Sequence, residues 1–94
     1  MQAEKHEVSV REIRVQLVAN RETGLLVALS DDMKGLMVAA RSEEEIEREL
    51  PDAIREILEA EGNTVLSVTA EAGPRGLPAG FSSTAMIASA RLAN

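Results

Sequence analysis

The adjacent carboxylates Asp31-Asp32 and the run Glu43-Glu44-Glu45 are the residues of this chain most suited to chemistry. Several convergent acids can hold the divalent ions of a two-metal hydrolase, so Asp31 and Asp32 with Glu44 or Glu45 form the set that a metal-dependent nuclease would use. A plainer reading competes. Asp-Asp between two strands is ordinary turn chemistry, because Asp accepts hydrogen bonds from nearby backbone, and Glu45 has a helix-capping role. No further acids fall on strand interiors, so a nuclease is the remote alternative, and no catalytic, cofactor-binding or metal-ligating residue is assigned. His6 is the single histidine and sits in a polar terminal stretch, which leaves no histidine cluster or triad. The absence of cysteine removes disulfides, thiolate catalysis and thiolate metal sites together, and fits a reducing compartment. Gly24-Leu25 and Gly35-Leu36 read as turns, since neither leads into the lysine-bearing helix start of a phosphate loop. The expectation is a protein without enzymatic activity and without cofactors.

Charge is the other chemical feature. The net charge of the 94-residue chain is −6. Ser42 to Gly62 holds nine acids and two bases, a balance of −7, whereas the remaining seven acids and eight bases sum to +1. A duplex-binding surface needs the opposite sign, so direct nucleic-acid binding is not expected. Phe81 is the single aromatic residue, so base stacking is disfavoured and the core must be aliphatic. No stretch approaches the ~20 apolar residues of a membrane span, and the start, Met1 to Glu7, has no apolar run behind its charges; a cytoplasmic location is expected.

These side chains must be positioned by elements that the periodicity outlines. After a polar N-terminal arm, Ile13 to Ala19 alternates with period two, placing Ile13, Val15 and Leu17 on one strand face. Asn20 to Gly24 is a polar turn, and Leu25 to Leu29 returns as the second strand of a hairpin. Ser30 to Gly35 turns again before a third strand, Leu36 to Ala40. Ser42-Glu43-Glu44-Glu45 reads as a capping box, with Glu45 reaching back to the Ser42 amide. The helix it opens carries Ala60, Ala53, Ile46, Ile57, Leu50, Ile54 and Leu58 on one arc and Glu59, Asp52, Glu45, Glu56 and Glu49 on the other. Pro51 should kink or divide this helix, and Gly62-Asn63 should cap its end. Thr64 to Ala70 is a fourth strand. Gly73 to Gly80 is a loop by composition, and Ser83 to Leu92 alternates loosely, as an edge strand, an arm on a partner subunit or a disordered tail.

Two surfaces are candidates for binding. The stripe Glu45, Glu49, Asp52, Glu56 and Glu59 is either a solvated helix face or a docking surface for a basic partner; pairs such as Glu44 with Arg48 and Asp52 with Arg55 would neutralise only part of it. The second surface is a sheet face. If Ile13, Val15, Leu17, Leu25, Val27, Leu29, Leu36 and Val38 face the helix, then Val18, Leu26, Ala28, Met37 and Ala39 point the other way and need a cover, from another subunit, a partner protein or the folded-back tail. Val18, Leu26, Ala28 and Met37 are therefore the expected homo-oligomer face. Met33, Met37 and Met86 read as core gap fillers or adaptable contacts.

The segment from Ile13 to Ala70 resembles the HicB antitoxin family, carried by the hairpin Val15 to Leu29 with its Glu22-Thr23-Gly24 turn, the segment Ser30 to Leu36, and Ser42-Glu43-Glu44-Glu45-Ile46 entering the helix. Lys34 stands where the family typically has the second proline of its turn. The resemblance implies a truncated RNase-H-like β-β-β-α-β domain that binds a small basic ribonuclease toxin. Family members also carry a separate operator-binding domain, but the residues after Gly62 do not show the two periodic helices of a helix-turn-helix, so a stand-alone form is implied. The expected fold is therefore α+β, a three- to four-stranded mainly antiparallel sheet with one amphipathic helix on one face. Residues 1–72 would form the domain and residues 73–94 the loop and tail. The expected function is protein binding, as an antitoxin for a basic toxin. The alternative is a homo-oligomeric structural or regulatory domain without a toxin.

Overall fold

Asn20 ties off the first hairpin of the computed structural model, which describes residues 8–72 and 84–93. Its amide donates to the Leu25 carbonyl at 2.8 Å, its Oδ1 accepts from the Glu22 and Thr23 amides at 2.9 and 3.2 Å, and Gly24, at φ 75°, returns its amide to the Asn20 carbonyl at 2.8 Å. A positive φ is open to glycine without steric cost, so the turn belongs to Gly24. The strands it joins are β1, Val8–Ala19, and β2, Leu26–Leu29. After β3, Met37–Ala40, comes α1, Glu43–Ala60, followed by β4, Thr64–Ala72, and β5, Thr84–Ala93.

All five strands form one antiparallel sheet in the order β3-β2-β1-β5-β4, and α1 covers one face of it. The α+β class with one helix on one face is thus as expected, but the sheet has a fifth strand and a different centre. β1 begins at Val8, so Val8 to Glu12 belong to the sheet, not to a polar arm. That extension pairs with β5, from Val8 opposite Ala93 to Val15 opposite Met86. The C-terminal segment is therefore an interior strand between β1 and β4. Met86, Ala88, Ala90 and Leu92 are all buried in the core that the helix covers. His6, Phe81 and the expected Gly73 to Gly80 loop lie outside the described residues.

The helix follows its local signals with two differences. Ser42 Oγ accepts from the Glu45 amide at 3.2 Å, but the Glu45 carboxylate takes the Arg41 amide at 3.0 Å, one residue before the Ser42 amide expected of it. Residues 43–60 run as one helix through Pro51 rather than dividing there. Gly62, at φ 98°, donates to Glu59 O and Asn63 donates to Leu58 O, both at 3.0 Å, the two bonds of a Schellman ending. Ile46, Leu50, Ile54 and Leu58 are fully buried, worth about 1.5–3 kcal/mol each.

Below the helix lie Ile13 and Val15 of β1, Ala28 of β2, Val38 and Ala40 of β3 and Val65 of β4, with Leu17, Leu26, Val68 and Ala70 packed against them. Leu26 and Ala28 correct the expected faces. The Asn20–Leu25 pair sets the register, so that Leu17 stands opposite Ala28 and Ala19 opposite Leu26; β2 then turns Leu26 and Ala28 inward and Val27 and Leu29 outward. Met33 and Met86 are buried in the core, whereas Met37 is 69 % exposed.

Candidate functional site

β3 is four residues long, and an open groove of about 720 Å³ runs between it and the helix. Val38 reaches it from the strand and Leu36 from the residue just before it, and Ala53 and Ile57 from the flank of the helix. Glu49, Asp52 and Glu56 line its helical side, with Arg48 as the one base among them. The 3.6-residue period brings these three acids to one edge of α1, beside the arc that buries Ile46, Leu50, Ile54 and Leu58. The groove thus combines an aliphatic floor with a carboxylate rim.

The other two acids of the stripe have different roles. Glu45 caps the Arg41 amide, at the end of β3. Glu59 pairs with Arg55 at 3.8 Å, and Arg55 also donates to the Val65 carbonyl at 3.1 Å, tying this flank of the helix to β4. The pairings expected for Glu44 with Arg48 and Asp52 with Arg55 are not formed. The groove rim therefore keeps its negative charge.

Asp32 is a fastening for the sheet. β1 runs past the end of β2, and there Asp32 Oδ2 accepts from the Arg14 amide at 2.9 Å and from Arg14 Nε at 3.0 Å, while Oδ1 accepts from Nη2 at 3.0 Å. Ser30 Oγ donates to the Arg14 carbonyl and accepts from the Asp32 amide, so the loop after β2 replaces a strand along this part of β1. Hydrogen bonds from the Arg14 side chain, then from its backbone, lower the Asp32 pKa to about 2, and Asp32 in turn raises that of Arg14. Arg11 adds a bond to the Asp32 carbonyl at 3.2 Å and lies 3.7 Å from Glu61. Asp31 is exposed, and among the described residues no group of three or more His, Asp or Glu side chains could hold a metal ion.

Of the expected oligomer face, Val18 (50 % exposed) and Met37 are on the open side of the sheet, whereas Leu26 and Ala28 are in the core. The reading from sequence missed Val27 and Leu29, which pair across the strands with Val18 and Met37 on the open face. A run of five apolar residues, Leu25 to Leu29, carries no alternation that could have assigned its faces. The Asn20 turn residue was the available signal.

Among the described residues no helix is long and apolar enough to cross a membrane. No curated protein and no solved structure shows significant similarity to the chain. Residues 12–72 match a family described as a domain of unknown function, DUF1902. The match spans β1 from Glu12 through β4 and leaves out β5, the strand that completes the core. With most of its length matched, the chain belongs to the DUF1902 family.

Proposed function

We propose that this protein is a binding module for a small basic protein, and that the groove between β3 and α1 is its docking surface. The observation that carries the reading is the union of Leu36, Val38 and Ile57 on the floor with the unpaired rim of Glu49, Asp52 and Glu56. Apolar contact supplies affinity there, and the carboxylates steer and select a partner of opposite charge. The β-β-β-α-β order of the first five elements supports the further reading of a partial RNase-H-like domain of the HicB kind, acting in the cytoplasm as an antitoxin that covers a basic ribonuclease.

The test is whether a neighbouring gene encodes a short basic protein and, with that protein as partner, the association rate measured against ionic strength. Steering predicts fast association that weakens with salt, since screening acts over ~10 Å at 0.1 M. Replacing Glu49, Asp52 and Glu56 by Gln, Asn and Gln should slow association and flatten the salt dependence, with the fold intact because all three side chains are exposed. Equal rates and equal salt slopes for both proteins would refute the reading.

A second reading rests on the open face. Val18 and Met37 are half or more exposed, with Val27, Leu29 and Ala39 beside them, an uncharged patch across three strands. Covering it between two copies would make the protein a homo-oligomer. A monomer mass by light scattering at all working concentrations would refute this.

A further inference from the structure

The two edges of the sheet are built differently. β4, at one edge, carries Thr64, Ser67, Thr69 and Glu71, and its register shifts between Val65 and Ser67, where Leu66 bulges out. Polar side chains and bulges are the devices by which proteins discourage further strands from pairing. β3, at the other edge, reads Met37-Val38-Ala39-Ala40, with no charge, no proline and an unbroken register against β2. It is an uncharged, regular edge.

Which backbone groups face outward follows from the hairpin. The amide of Asn20 points to β2, as do the amide and carbonyl of Arg14 toward the loop after β2, so even-numbered residues of β1 turn their backbone groups to that side. Carrying the alternation across the register, Leu26 and Ala28 bond to Ala40 and Val38, and Met37 and Ala39 point away from the sheet. Arg41 follows in the same parity, and its outward amide is the one taken by Glu45. Met37 and Ala39 thus offer two amides and two carbonyls at the lip of the groove, and among the described residues no strand lies beyond them.

We infer that the partner docks there as an added strand: a basic extended segment pairs antiparallel with β3 and lays its Lys or Arg side chains over the groove toward Glu49, Asp52 and Glu56. The inference rests on the binding-module reading above and supplies its mode. Charge decides the occupant. A second copy adding its own β3 about a two-fold axis normal to the sheet would keep both helices on one face, and would bring a second row of Glu49, Asp52 and Glu56 against the first. A basic strand meets no such repulsion. Alternate residues of a strand lie about 6.6–6.8 Å apart. The three acids climb the helix in steps of about 4.5 and 6 Å. Two or three cations spaced every second residue can therefore lie along the rim. The intervening side chains fall on the open face beside Met37 and Ala39. In an antiparallel ladder these intervening residues are also the ones that bond to Met37 and Ala39.

The probe is an octapeptide of alternating Lys and Val, blocked at both ends and added to the full chain, with a Glu-Val octapeptide as the charge control. Binding is followed by amide shifts, and by hydrogen exchange at Met37 and Ala39. Strand addition predicts that the Lys-Val peptide binds and slows exchange at both amides, that the Glu-Val peptide does not bind, and that N-methylation of the valines weakens affinity by about tenfold or more by removing their bonds to β3. N-methylation of the lysines, whose amides point away, should be tolerated. If both methylated peptides bind as well as the parent, or both lose affinity equally, strand addition is overturned. A Lys-Val peptide that fails to bind at millimolar concentration overturns it as well. The acidic groove reading is judged separately by the salt dependence of the wild type and the triple variant, so the two failures are distinguishable.

Discussion

Ending the chain after Ala72 tests whether β5 is part of the domain or an appendage to it. Met86 and Leu92 are 1 % and 6 % exposed, worth about 1.5–3 kcal/mol each, and the fully buried Ala88 and Ala90 add about 0.8 kcal/mol each. Removing them also uncovers Ile13 and Val15, which face Ala88 and Met86 across the ladder. β4 pairs in the sheet with β5, so it loses its place as well. The direct loss alone is roughly 5–8 kcal/mol, against a total of about 5–14 kcal/mol for a chain of this size. The truncated protein should show no cooperative urea transition and collapsed amide dispersion. A transition within about 1 kcal/mol of the full-length chain would refute the placement of β5 in the core.

The register of β2 is tested by a pair of substitutions: Ala28→Asp buries an unpaired charge and should cost more than about 3 kcal/mol, whereas Val18→Asp on the open face should stay within about 0.5 kcal/mol. Equal urea midpoints for the two would return Ala28 to the surface. Asp32 should contribute to the acid limb of the stability curve. Its pKa is lowered from 3.8 to about 2 in the folded protein, so its contribution is complete above the unfolded value and is lost as pH falls through about 2. Asp32→Asn should therefore lower the urea midpoint at pH 7, with the gap to wild type closing toward pH 2; a gap of the same size at both pH values would remove the Arg14 pairing as its cause.

How much was legible without coordinates depends on how local each signal is. The helix from Ser42 to Asn63 was readable because its cap residues and its 3.6-residue apolar arc lie within the segment that forms it, and the same period placed Glu49, Asp52 and Glu56 on one side. The Gly24 turn was readable because a positive φ is a demand on a single residue. The faces of β2 were not. Leu25 to Leu29 is apolar throughout, so either parity satisfies its pattern, and only the Asn20–Leu25 pairing across the hairpin chooses between them. The place of β5 was also closed to local reading. Ala88 and Ala90 carry too little apolar surface to announce a core strand, and they become central because Ile13 and Arg11 of β1 on one side and Ala70 and Val68 of β4 on the other pair with them across the sheet. The acidic stripe was therefore determined by the sequence of the helix alone, whereas its pairing with an open backbone edge at Met37 and Ala39 exists only because the tertiary fold sets β3 outermost and turns those groups toward solvent.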